Sequence, residues 1–199
     1  FADAAQLVLA NKCGINELEA LQVAEEESLA RAYEQLLGEV RTDTPLTCDL
    51  IRHIHHTIFG DLFEWAGRWR TVQISKPDAI WPPPQFLEQA MQEFERTVLT
   101  KYSAPALSTA EALCSAIGEI QGEFLSIHPF REGNARAITL LTDLLAAQCG
   151  QPLLLFDSSK SGQQQYIDAA RAALLKKDYQ PLTEIALEAL ERSRSRRSR

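Results

Sequence analysis

Two long stretches with helical spacing, about residues 108–127 and 134–148, are joined by Ile127-His128-Pro129-Phe130-Arg131-Glu132-Gly133-Asn134-Ala135-Arg136. This junction constrains the fold most, because two helices must meet at a turn that also gathers chemically active side chains. Pro129 disfavours helical backbone at His128 and predicts an extended residue there, with the imidazole aimed out of the first helix. Gly133 and Asn134 open the second helix, whose first N–H groups have no intrahelical acceptor and make a ready anion site. Histidine suits general-base work near neutral pH. Glu132 is a hard oxygen ligand of the kind Mg2+ uses when it also holds phosphates. Arg136 brings a planar fork of donors matched to phosphate oxygens. Phe130 is expected to turn inward and anchor the loop. A base, a metal ligand and a phosphate cradle therefore share one turn.

These residues also carry a family likeness. The run resembles the signature of the Fic (filamentation induced by cAMP) domain family, His-x-Phe-x-Asp/Glu-Gly-Asn-Gly-Arg-x-x-Arg. His128, Phe130, Glu132, Gly133, Asn134 and Arg136 stand on its matching positions. The resemblance implies an all-α, Fic-type helical bundle with a small β-hairpin flap over the active site. It implies transfer of AMP from ATP, as substrate, to a tyrosine, serine or threonine hydroxyl of a target protein. His128 is then the catalytic base and Glu132 the Mg2+ ligand. Arg131, Glu132, Gly133, Asn134, Ala135 and Arg136 form the nucleotide-binding run.

Two positions depart from the signature: Ala135 replaces its second glycine and Thr139 its second arginine. Alanine is comfortable in the first turn of a helix. Losing the arginine removes a charge-assisted hydrogen bond worth roughly 1.5–3 kcal/mol, so the outer phosphate is held differently. Relatives without that arginine include phosphate transferases that bind the nucleotide reversed. Phosphotransfer, and a non-catalytic scaffold on the same fold, are the alternatives. Many members carry an inhibitory Ser/Thr-x-x-x-Glu-Gly/Asn helix. Here Glu-Gly occurs only at Glu132-Gly133 and Glu-Asn nowhere. The resemblance then implies either a separate small, antitoxin-like inhibitor protein or an unrestrained enzyme.

Charge narrows the partners. The net charge is −7, yet residues 192–199 hold five arginines, leaving 15 basic against 27 acidic residues over 1–191. An acidic body is a poor general nucleic-acid binder, since phosphate neutralisation needs a basic face. We expect one domain over 1–191 and a disordered arginine-rich tail over 192–199. Four scattered cysteines lack a Cys-x-x-Cys pair and read as reduced thiols of a cytoplasmic protein, with secretion into another cell left open. No apolar run reaches membrane-spanning length.

Elsewhere the pattern predicts further helices. Residues 1–10 read as a helix or the end of one. Asn16 is the expected N-cap of a helix reaching about residue 40, and Glu25-Glu26-Glu27 its solvated face. Thr47 caps a helix to about residue 59 containing His53, His55 and His56, read as structural rather than metal ligands. Trp65 reads as a core anchor. Residues 70–76 alternate as a strand, Pro77-Asp78 turns, and Ile80-Trp81 returns. The resemblance makes this the flap, with Ile74 and Lys76 as target-positioning residues acting by strand pairing. Ser108, three before Glu111, predicts a capping box for the central helix. Tyr166, on a later helix ending near Asp178, is a candidate for the adenine pocket or the core, and 181–191 a last helix.

Overall fold

The central helix is largely buried and leaves only a narrow stripe, Glu111, Ser115, Glu119 and Glu123, toward solvent. The structure is a computed structural model and describes residues 8–76 and 79–197. In it α4, Ala110–Ile127, buries Leu113, Cys114, Ile117, Ile120 and Phe124. Around it stand α1 (Leu18–Glu39), α2 (Cys48–Phe59), α3 (Leu87–Thr97), α5 (Asn134–Gln148), α6 (Lys160–Lys176) and α7 (Gln180–Arg197). The only strands among the described residues are β1 (Ser75–Lys76) and β2 (Ala79–Ile80), an antiparallel pair with Ser75 opposite Ile80 and Lys76 opposite Ala79. The fold is all-α with a small hairpin.

Close approach lets three helices share α4. A Cβ on Gly118 would meet the Thr183 hydroxyl of α7 at 2.3 Å, so the two backbones can lie this near only without a side chain. Elsewhere in the same core α2 contributes Ile51, Ile54, Ile58 and Phe59 and α5 contributes Ile138, Leu141, Leu144 and Leu145, all buried. Both helices show apolar residues at the i, i+3, i+4 spacing that produces such a stripe.

Several local expectations are corrected. Thr47 does cap α2, accepting from Leu50 N at 3.1 Å. The cap of α4 is Thr109, which accepts from Ala112 N, and not Ser108. The N-cap of α1 is Glu17 with no side-chain cap bond, so Asn16 lies one residue outside. Asn11 shapes the approach instead, accepting from Ile15 N and donating to Leu9 O and Ile15 O. Residues 8–10 are irregular rather than helical, while 1–7 and the Pro77-Asp78 turn lie outside the described residues.

The expected strand over 70–76 shrinks to two residues because side chains take up its backbone. Arg70 donates to Val72 O, and Gln73 Nε2 donates to Ile74 O and Trp81 O. The arginine tail is also corrected, since α7 runs on through Arg197. Ser193 explains this. It is buried, donates to Leu153 O at 2.7 Å and accepts from Leu155 N at 2.9 Å, which ties the helix end to the α5–α6 connector.

Candidate functional site

The turn between α4 and α5 holds the predicted residues, with one surprise in its backbone. His128 is the C-cap of α4 in left-handed conformation, φ 52° and ψ 59°, not extended. Pro129 excludes the right-handed helical region, and the helix end selects the left-handed exit, with His128 N donating to Phe124 O at 2.8 Å. The imidazole Nδ1 is 3.3 Å from Leu125 O. A carbonyl only accepts, so Nδ1 carries the proton and Nε2 the lone pair. Burial pushes the pKa of His128 down to about 4, with a smaller contribution from the Lys76 charge. The ring is therefore neutral at physiological pH.

Phe130 anchors the loop as predicted: it is fully buried and stacks on His55 with ring centroids 3.7 Å apart. Asn134 is buried and closes the loop on itself. Its Oδ1 accepts from Phe130 N at 2.8 Å and its Nδ2 donates to Phe130 O at 2.9 Å. His55 adds a tie from α2. Its Nδ1 accepts from Gly67 N, which leaves Nε2 to donate to Glu132 O at 3.0 Å. Burial lowers its pKa to about 4 as well. The structural reading of this histidine holds, although its role in shaping the loop is visible only in three dimensions.

At the start of α5, Gly133 has φ 77°, and a Cβ there would lie 2.3 Å from the Phe59 ring. Only glycine meets both demands. Its N–H is not free, as expected from sequence, but donates to Glu132 Oε1 at 2.9 Å. The first N–H groups of α5 after it, those of Asn134, Ala135 and Arg136, have no intrahelical acceptor, as at any helix start. Arg136 lies with its guanidinium carbon 4.6 Å from the Phe59 ring centroid. Its Nη1 donates to Glu25 Oε2 at 2.7 Å, and Nη2 is 3.7 Å from Glu132 Oε1.

Ala135, Arg136 and Thr139 line a cavity of about 370 Å³ with Tyr33, Phe156 and Tyr166. Tyr166 lines this cavity, and its hydroxyl donates to Gln121 Oε1 at 2.9 Å. Arg131 is exposed and lines a different cleft with Asn11, Lys12, Glu64 and Trp65. A larger cavity of about 830 Å³, lined by Thr47, Tyr102 and Gln148 among others, contains no residue of the turn.

The hairpin is stitched to the turn by residues that sequence reasoning did not single out. Arg70, buried, donates to His128 O, Val72 O and Pro82 O at 2.9, 2.9 and 2.7 Å, and its N–H donates to Pro129 O. Trp81 places its ring centroid 4.4 Å from that of His128 and donates Nε1–H to Leu125 O. Lys76 is exposed and near enough for its charge to act on the imidazole; Ile74 is half-buried. Among the described residues no three His, Cys, Asp or Glu side chains gather as a cation site. Mg2+ needs no such group when phosphates complete its shell, and Glu132 offers an exposed carboxylate beside the helix mouth. That donor set fits the ion.

Fold and site together define a helical domain with a neutral histidine five residues before the N-cap of a helix. The Fic/DOC family model matches residues 45–146, more than half of the 199, and the chain belongs to that family. It is 27% identical over 165 residues, 81% of each chain, to "Probable protein adenylyltransferase y4lH" of Sinorhizobium fredii. It is 28% identical over 144 residues to "Protein adenylyltransferase VbhT" of Bartonella schoenbuchensis, covering 72% of this chain but only 30% of that protein. The fold matches the BepC effector protein of Bartonella tribocorum, solved with bound AMPPNP, at TM-score 0.74, with 18% identity and 94% of each chain covered.

Proposed function

We propose that the protein is a protein adenylyltransferase that moves AMP from ATP to a hydroxyl side chain of a target protein. The observation that carries this reading is the state of His128: neutral, with Nδ1 donating to Leu125 O and the Nε2 lone pair available. In the proposed mechanism Nε2 takes the proton of the target hydroxyl as its oxygen bonds to the α-phosphorus, and diphosphate leaves. The N–H groups opening α5 and the Arg136 fork bind the phosphates and stabilise the charge that develops on them. Glu132 would hold Mg2+, which supplies further neutralisation of phosphate charge. Ala135 borders the phosphate run, and Tyr166 lines the cavity offered to the base.

The target segment is proposed to pair with the hairpin edge, with Ile74 and Lys76 orienting the hydroxyl residue above His128. No helix of the described residues is long and apolar enough to cross a membrane, and we place the reaction in the cytoplasm. Restraint falls to a separate small inhibitor protein, or the enzyme is unrestrained; co-purification of a stoichiometric small partner selects the first.

The test is mass spectrometry of the protein and a cell lysate after incubation with ATP and Mg2+, using wild type and His128→Ala. AMP adducts that vanish in the folded variant support the reading, and undiminished modification removes His128 as the base. Thr139 favours one second reading, transfer of a phosphate with the nucleotide reversed; phosphate adducts in place of AMP would select it. No adduct of either kind would select the scaffold reading.

A further inference from the structure

Arg136 is gripped from three parts of the chain. Nη1 donates to Glu25 of α1 at 2.7 Å, the guanidinium lies over Phe59 at the end of α2, and Glu132 stands 3.7 Å from Nη2. Glu25 belongs to the run Glu25-Glu26-Glu27, yet its side chain is only 12% exposed. A carboxylate withdrawn that far from water needs a compensating partner, and here the partner is a charge-assisted bond.

The contact is built into the packing of two helices. Further along α1 and α5, Tyr33 donates to Asp143 Oδ2 at 2.6 Å. This second tie fixes the register of α1 on α5, so Glu25 arrives at Arg136 with no freedom to slide. An unbraced arginine must be ordered when its ligand binds, and that ordering weakens affinity. A guanidinium has five N–H donors, so a bond to Glu25 through Nη1 leaves others for an anion. With threonine at 139, Arg136 has no arginine one turn on to share the phosphates, and its own orientation matters more.

We propose that Glu25 is a positioning residue for nucleotide binding: it presets Arg136 for a phosphate oxygen and makes α1 part of the site. This rests on the nucleotide-transfer reading above. The opposite role, a carboxylate that competes with phosphate for Arg136, has the opposite sign in the same measurement.

The experiment is a double-mutant cycle of Glu25→Ala and Arg136→Ala, with Glu25→Gln beside it. Mg-ATP affinity is read by calorimetry and AMP transfer by steady-state kinetics. We expect Glu25→Ala to weaken ATP binding about tenfold or more, with the loss in KM for ATP rather than in kcat. Glu25→Gln keeps an acceptor oxygen and should recover part of it. In the Arg136→Ala background, Glu25→Ala should add nothing. Unchanged or tighter ATP binding by Glu25→Ala would overturn the assignment, as would an undiminished effect without Arg136. Should Glu25→Ala fail to fold by circular dichroism, Glu25→Gln carries the same cycle. Wild-type protein that shows this pattern in binding yet transfers no AMP overturns the transfer reading and leaves Glu25 assigned. Wild-type protein that binds no nucleotide overturns both.

Discussion

Trp81 and His128 share one hydrogen-bond acceptor, the carbonyl oxygen of Leu125, which lies 2.9 Å from the indole Nε1 and 3.3 Å from the imidazole Nδ1. The sharing fixes the tautomer of His128 and aligns its ring against the indole. With the pKa held near 4 by burial, the lone pair on Nε2 is present throughout the neutral range. The transfer rate at saturating ATP should therefore be flat from about pH 6 to about pH 8 and fall toward pH 4. A pH–rate profile measured by AMP incorporation checks this, and a midpoint near 6.5 would show an imidazole that is not buried in the working enzyme.

Stability should fall with acid for the same reason. His55 and His128 both have folded pKa values near 4, below the ordinary 6.5. What they contribute is fully present above about pH 6.5 and is lost as pH falls through the folded values, roughly 3 kcal/mol for His55. Asp143 acts in the opposite sense, since burial raises its pKa to about 6 and its contribution is lost as pH rises through that value. Thermal melts from pH 7.5 to pH 4 should show a fall that is smaller in His55→Gln, whose amide can replace both ring contacts. In Asp143→Asn the fall should be larger, because the opposing group is gone.

Glu132→Gln should keep the turn and weaken the metal-dependent step. The amide oxygen can still accept from Gly133 N, as Glu132 Oε1 does at 2.9 Å, so the melting temperature should move little. Calorimetry should show Mg-ATP bound about tenfold or more weakly, the scale of a lost charged ligand. Equal affinity would put the cation elsewhere.

Thr139→Arg should tighten ATP. The position is half-buried and faces the same cavity as Arg136, one turn further along α5. A new charge-assisted contact is worth about tenfold in affinity or more. No change in binding or in the ratio of AMP to phosphate transfer would mean that the outer phosphate does not approach α5 there.

Arg70→Lys tests the join between hairpin and turn. Lysine keeps the charge but cannot serve three divergent carbonyls with a fixed fork. Expected are a stability loss of about 1–3 kcal/mol and a larger rise in KM for the target than for ATP, read from melts and steady-state kinetics.

The histidine turn was legible because its residues lie within ten positions of one another, each with a distinct chemical reason to be there. The helices α2 and α5 were legible from Thr47 and from their apolar stripes. What escaped was supplied from far along the chain. Nothing in Glu25-Glu26-Glu27 distinguishes the one glutamate that turns inward, because the difference is made by the packing of α1 on α5. Arg70 read as part of a strand, but its side chain binds the backbone that the strand would have used. The proline rule predicted an extended His128, and the end of α4 imposed the left-handed conformation instead. The arginine-rich composition suggested a disordered tail, yet burial of Ser193 accompanies a helix that runs as far as Arg197.

The contacts of Arg136 and Asn134 differ sharply in how far apart along the chain their partners lie. Asn134 closes on Phe130 over four residues, whereas Arg136 meets Glu25 over 111. Short loops close at little entropic cost and early, while distant pairings wait for the chain to collapse. During synthesis α1 leaves the ribosome first and has no partner for Glu25 until α5 follows. The histidine turn can therefore close on local contacts alone, whereas the bracing of Arg136 has to wait for α1 and α5 to pack.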